Sequence, residues 1–440
     1  MNRGTGIPRR RWAARIATMV AAAAAISLGI AGCGGVGGSS GGSASGSITG
    51  WGVTGDKGYI TPSVQAFNKA NAGTQIKMDL FGTNDYKDKI RTGINSTQAP
   101  TLIYTWGGGT MAAYVKAGLI KDLSSEIPKS YMDRLVPSVV ETGQNGGKTY
   151  AVPLDPTSPV LFYYNEEVLK KSGVEQPKTW DELLAAVPKI RAAGFQPIAL
   201  GGGSKWPYLM WLEYLVDRIG GPQPFQNILD NKKDAWSDPS VIKALGMIQD
   251  LIKAGGFADG FASVSADTNA DLAQVVTGRA AMLLQGAWAY SGIKDIDPNF
   301  ESSGKLGYGP FPSVSGGKGD PKDVAGNPSS YWAISSKATA AQTKTAVKFL
   351  TTQVWSDDYT KTVTDSGNVP PLKGVDSQLK GDFAKSIYGM IQDAPHFVQS
   401  WDLALSPAAS SQFWTELDLL FNQSATPQQF ADAMNKTIGK

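Results

Sequence analysis

Tyr150-Ala151-Val152-Pro153-Leu154-Asp155-Pro156, then Val160-Leu161-Phe162-Tyr163-Tyr164-Asn165, then Pro177-Lys178-Thr179-Trp180-Asp181-Glu182-Leu183 make up the stretch on which the reading of this chain turns. The apolar and aromatic run Val160–Tyr164 is short and predicts a buried strand. Thr179 precedes an apolar-periodic segment and has Glu182 three residues on, a capping box that predicts a helix over Thr179–Ala193. Strand followed by helix is the unit of an α/β domain, and the alternation extends both ways. Upstream, Ile48–Val53, Gln75–Phe81 and Thr101–Thr105 read as strands, the second with Ile76, Met78 and Leu80 on one face. Between them Thr61-Pro62, an N-cap with proline at N1, opens a helix to about Ala70, and Asp85–Ser96 reads as another. Downstream, Ala281–Leu284 and Tyr331–Ser335 read as strands, Ala346, Phe349, Leu350 and Val354 have helical spacing, and the chain beyond Trp355 reads as mainly helical. The pattern predicts an α/β fold with ligands taken beyond the strand ends.

The 440 residues suffice for two or three lobes, and 42% hydrophobic residues suffice for large cores. The formal charge of +3 is misplaced for nucleic-acid binding, because Arg3, Arg9, Arg10, Arg11 and Arg15 lie in the first 32 residues with no acid among them. Without those five, 36 basic residues face 38 acidic ones, a balance of −2, and no nucleic-acid partner is expected. A single His and a single Cys exclude a His-based zinc site, a CxxC redox centre and an intramolecular disulfide. No cofactor and no metal are expected. Carboxylates, amides, hydroxyls and aromatics remain, with 12 Trp and 15 Tyr.

The arginine-rich start and the apolar run Ile16–Ala31 read as a signal peptide over residues 1–32, too short and alanine-rich to span a bilayer. Ile30-Ala31-Gly32-Cys33 resembles the bacterial lipobox, which makes Cys33 the lipidation site; a plain secretory signal with an incidental Cys is the alternative. Residues 33–47, the Cys and a Gly/Ser tether, have no side chains to bury and give a flexible reach of roughly 20 Å. The expected location is the extracellular face of the cytoplasmic membrane, held by a lipid.

Five segments in order carry a resemblance. They are Thr105-Trp106-Gly107-Gly108-Gly109 with Tyr114-Val115 and Ala117-Gly118-Leu119; the opening stretch from Tyr150 to Leu183; Gly278-Arg279-Ala280-Ala281-Met282 with Gly286-Ala287-Trp288; Trp332-Ala333-Ile334-Ser335; and Gly367-Asn368-Val369-Pro370. Together they resemble the extracellular solute-binding proteins (family 1) of bacterial sugar ABC importers, the group that includes maltose-binding protein. The resemblance covers about Ile48 to Lys440. It implies a two-lobed periplasmic-binding-protein type II fold with a hinge and an interlobe ligand cleft. One lobe is expected from 48–153 and 306–353, the other from 154–305 and 354–440. It also implies an oligosaccharide ligand, membrane permease subunits with a cytoplasmic ATPase as partners, and a monomer.

A sugar presents C–H faces that stack on flat rings and a hydroxyl rim that planar polar side chains meet two at a time. Trp51, between two glycines at a strand end, is either a core ring or a site ring. Asp85 is either a ligand contact or the N-cap of its helix. Trp106 precedes three glycines that lack the Lys-Ser/Thr of a phosphate loop. Asp155 lies just past the first expected crossover, where it faces the cleft or caps the hinge. The maltose-binding relatives supply a stacking Tyr from the stretch matching Trp206-Pro207-Tyr208; that role is carried to Tyr208 and, by proximity, to Trp206. Trp206 stands where the relative has an acid, which disfavours maltose. Trp288 matches the family's stacking Trp. Asn327, Trp332, Trp401 and Asp402 complete the candidates. The TWGGG segment and Trp401-Asp402 resemble binders of β-linked plant oligosaccharides such as xylobiose. Against this stand a secreted glycoside hydrolase, which needs two carboxylates flanking one bond and shows no local acid motif, and a scaffold lipoprotein, which nothing repetitive supports.

Overall fold

The structure, a computed structural model, describes residues 46–439. The leader and Cys33 lie outside the described residues, as does the expected tether up to residue 45. The folded body starts slightly before the expected boundary: Gly46 is buried, and the Ser47 hydroxyl accepts the Gln75 N–H at 3.1 Å.

Two mixed sheets organise the chain, each the floor of one lobe. The first has the strand order Ile76–Phe81, Ile48–Val53, Leu102–Thr105, Tyr331–Ile334, Ala151–Pro153. Its first three strands run parallel, while Tyr331–Ile334 is antiparallel to both neighbours. The central strand Leu102–Thr105 is buried throughout, as its unbroken apolar run requires. The second sheet runs Phe397–Gln399, Val324–Asn327, Ser158–Asn165, Ala280–Gly286, Gln196–Ala199, with Leu306–Gly309 also paired to Ser158–Asn165. All eight residues of Ser158–Asn165 are buried. The helix expected after it spans Trp180–Ala192, with Thr179 as N-cap and both capping-box bonds to Glu182 in place.

Three expectations need correction. The first helix begins at Lys57 rather than Thr61, and Pro62 lies inside it. Proline loses only one N–H there, and its ring faces the carbonyl of Gly58 at the very start of the helix, so the helix tolerates it. Residues 306–327 belong to the second lobe, because Leu306–Gly309 and Val324–Asn327 hydrogen-bond to its central strand. Residues 354–365 belong to the first lobe rather than the second. Trp355 donates its indole N–H to the Pro153 carbonyl at 2.7 Å, and Tyr359 of helix Asp357–Asp365 lies 5.5 Å, ring to ring, from Tyr59. The chain therefore crosses between sheets at 154–157, at 328–330 and again between 366 and 380.

The crossings are tied together. Leu154 N–H donates to the Ser330 carbonyl at 2.8 Å, Thr157 N–H to the Val369 carbonyl at 2.9 Å, and the Ser329 hydroxyl to the Asp155 carbonyl at 2.7 Å. Helix Gly381–Asp393 then packs on the second sheet by stacking Phe383 on Tyr163 and Tyr290. Among the described residues no helix is long and apolar enough to cross a membrane.

Candidate functional site

A cavity of about 370 Å³ lies between the two sheets beside the crossings, within the ~300–1,000 Å³ range of small-molecule sites. Its walls bring together six of the residues singled out in the sequence: Trp106, Asp155, Trp206, Trp288, Asn327 and Asp402.

The second-lobe wall is aromatic. Strand Ala280–Gly286 ends in Gly286-Ala287, and Trp288 opens helix Ala289–Ile296. Any Cβ at Gly286 would fall on the six-membered ring of Trp288, so only glycine lets that ring fold back over the strand end. Trp206 meets it edge to face, centroids 6.1 Å apart at 64°, and is pinned by donating its indole N–H to Asp267 Oδ1 at 3.0 Å. Both rings are half-buried and line the cavity.

The first-lobe wall is aromatic and acidic. Trp106 follows strand Leu102–Thr105 and packs 5.0 Å from Tyr104, and its carbonyl accepts from Gln399 Nε2 at 2.7 Å. Asp56 lies in the turn after the first strand and accepts the Tyr104 hydroxyl at 2.6 Å. Asp155, in the first crossing, accepts the hydroxyl of Tyr59 and that of Ser330, the latter at 3.1 Å. Burial pushes the Asp56 carboxyl up to about 6, against the pull of its tyrosine donors. Asp155 is pushed well above the usual carboxylate range by burial first and by the charge of Asp56 second. Lys87, on helix Thr83–Gly93, reaches across to Asp402 Oδ2 at 2.9 Å, with its ammonium about 5 Å from the rings of both Trp106 and Trp414. Asn327 Oδ1 is buried with no hydrogen-bond partner, an acceptor left for a bound group.

The remaining candidates do not line this cavity. Trp51 packs edge-on to Phe81 and under Gly93, with Lys89 above its ring, so it belongs to the first-lobe core. Asp85 is exposed in the first turn of its helix; Gly82 is the N-cap, and the acid favours the helix dipole from outside the cavity. Tyr208 is fully buried and stacked on Phe421 at 4.0 Å, because helix Pro207–Gly220 is enclosed on nearly every side. Trp332 is enclosed in mid-sheet behind Tyr104. Trp401 stacks flat on Phe225 at 4.2 Å while its neighbour Asp402 turns to the cavity. Sequence reasoning missed Asp56, Tyr59, Tyr104, Lys87, Asp267 and Asp295. Asp56 had a readable mark, being an acid just past the end of a parallel strand.

The family of bacterial extracellular solute-binding proteins matches residues 51–354. Among curated relatives, an ABC transporter extracellular-binding protein of Pyrococcus horikoshii is 26% identical over 276 residues, covering 60% of this chain and 59% of that one. The chain spans 59%, 57% and 43% of the length of three such relatives. A solved structure reported for xylan utilization by the thermophilic bacterium Caldanaerobius polysaccharolyticus superposes with a TM-score of 0.81 at 26% identity, over 89% of this chain and 100% of that one. A chitin oligosaccharide binding protein superposes with a TM-score of 0.80 at 25% identity, over 89% and 97%.

Proposed function

Because this chain belongs to the bacterial extracellular solute-binding protein family, we propose that it is the sugar receptor of an ABC importer, which takes a β-linked oligosaccharide between its lobes and delivers it to a membrane permease. The observation that carries this reading is the wall of Trp106, Trp206 and Trp288 interleaved with Asp56, Asp155, Asp402 and Asn327. Rings accept the C–H faces of a sugar, and carboxylates and amides accept or donate to its hydroxyls. The relatives tied to xylan utilization and to chitin oligosaccharides support a β-linked ligand. The first lobe is taken as 48–153 with 331–365, and the second as 158–327 with 381–439.

A thermal-shift and calorimetric panel of xylobiose, cellobiose, N,N′-diacetylchitobiose and maltose tests the reading. A ligand at 100 times its Kd adds about 2.7 kcal/mol of stability. At least one β-linked member is expected to raise Tm and to be recovered intact after long incubation. A flat Tm across the panel removes the receptor reading for these sugars, and cleavage replaces it with a hydrolase.

The lipobox-like Ile30-Ala31-Gly32-Cys33 supports a lipid anchor, with the Gly/Ser segment as the leash to the bilayer. Cys33→Ala is expected to release the protein from washed membranes without changing sugar affinity; retention of the variant would rule the anchor out.

A further inference from the structure

We propose that the Lys87–Asp402 pair sets a charge filter on the cavity: it admits uncharged sugars and refuses sugars that carry a carboxylate. The proposal rests on the sugar-receptor reading and deepens it.

Five carboxyls line the cavity, Asp56, Asp155, Asp267, Asp295 and Asp402, and Lys87 is the one cation among the described lining residues. That cation is already committed. Its ammonium lies 2.9 Å from Asp402 Oδ2, and the Asp402 side chain is only 5% exposed, so water does little to screen the pair. Three of the other acids are held by neutral donors alone: Asp56 by Tyr104, Asp155 by Tyr59 and Ser330, Asp267 by the Trp206 indole. A sugar hydroxyl entering this cavity finds strong acceptors. A sugar carboxylate finds like charges and no uncommitted cation, and it must shed its own hydration to enter.

Asp402 therefore acts as the selective element by occupying Lys87. Removing its charge leaves the ammonium in place, because the Trp106 and Trp414 rings on either side still attract it. Asp402→Asn converts a filled cation into an open one while keeping the size of the side chain and one of its acceptor oxygens.

The test is calorimetry with two matched pairs of probes: xylobiose against glucuronosyl-xylose, and cellobiose against cellobiouronic acid. Each is titrated into the wild type, Asp402→Asn, and Asp402→Asn combined with Lys87→Met, with the Tm of each variant recorded to establish that it is folded. The wild type is expected to bind a neutral probe at least a hundredfold more tightly than its acidic partner. Asp402→Asn is expected to shrink that ratio to tenfold or less, and the added Lys87→Met to restore it. Acidic probes binding the wild type within tenfold of neutral ones overturn the filter while leaving the receptor reading intact. A ratio unmoved by Asp402→Asn, or a rescue that survives the loss of Lys87, also overturns it. If none of the four probes binds the wild type, the receptor reading fails for these sugars and the filter falls with it.

Discussion

Trp288 and Tyr208 come from similar sequence, an aromatic where a helix begins beside glycines, yet their rings have opposite fates. Trp288 folds over Gly286 into the cavity wall, while Tyr208 stacks on Phe421 inside the second-lobe core. Truncating a site ring costs ~2–4 kcal/mol of binding, or roughly 30- to 1,000-fold in affinity. Truncating a core ring costs ~3–5 kcal/mol of folding. Trp288→Ala should keep most of the ligand-free Tm and lose the sugar-induced shift; Tyr208→Ala should melt early yet still gain from sugar. Calorimetry and melting on the two variants check this, and an exchange of the two phenotypes would reverse the assignment. Which neighbour on the first turn of Pro207–Gly220 faces the cavity was not legible, because a helix buried on almost every face carries no amphipathic stripe to orient it. Asp56 carries a pH prediction. Its carboxyl titrates at about 6 in the folded chain and near 3.9 in the unfolded one, so between those values the folded state holds more proton and stability falls as pH rises. The cost is fully present above about pH 6 and absent below about pH 4. Asp56→Asn should therefore raise Tm at pH 7.5 and lose that advantage at pH 4; an equal gain at both would assign the effect to packing instead.

At the scale of elements, what was legible follows local chemistry. The Thr179 capping box and the solid apolar run at Val160–Tyr164 declare themselves within a few residues, and both elements stand where they were expected. Leu306-Gly307-Tyr308-Gly309 does not declare itself, since two glycines interrupt the pattern and its partner strand lies more than a hundred residues earlier. The placement of 306–327 and of Asp357–Asp365 in the wrong lobes has the same origin: which sheet receives a returning chain is decided by pairing and packing, not by local propensity. The Gly107-Gly108-Gly109 run was legible as a turn but not as a contact. Helix Gly108–Lys116 of the first lobe lies against residues 403–405 of the second, and a Cβ at Gly109 would intrude well inside van der Waals contact with the Ala404 and Leu405 carbonyls. Gly109 does not have a positive φ, so alanine is strained there only by that neighbour. Gly109→Ala should push the two lobes apart at this seam, weaken sugar binding tenfold or more, and leave the ligand-free Tm within a few degrees. Unchanged affinity would show that the seam yields without cost to the cavity.

The whole molecule joins these pieces through its three crossings. Segment 154–157 is hydrogen-bonded to both 328–330 and 366–380 beside the cavity, which makes these crossings the expected hinge for a rotation between lobes. A ligand biases such a rotation only by the difference in its contacts between the two arrangements. Trp106 stands on one lobe and Trp206 with Trp288 on the other, so a sugar that touches only one side makes the same contacts whether the lobes are near or apart. Closure therefore depends on both walls, and weakening either should reduce it even when the sugar is bound. Small-angle scattering reads this directly. A compact body of this size has a radius of gyration of about 21 Å, and saturating sugar should lower the measured value for the wild type. At sugar concentrations that still saturate the site, Trp106→Ala should show a smaller contraction than the wild type, because the first lobe has lost the ring that rewards approach. Without ligand the same variant should melt below the wild type, because the Trp106 ring also packs on Tyr86 and Tyr104 in the first-lobe core. A full contraction in Trp106→Ala would mean that the first lobe is drawn in by its hydroxyl contacts at Asp56 and Asp155 instead, which would move the closing force from the aromatic wall to the acidic one.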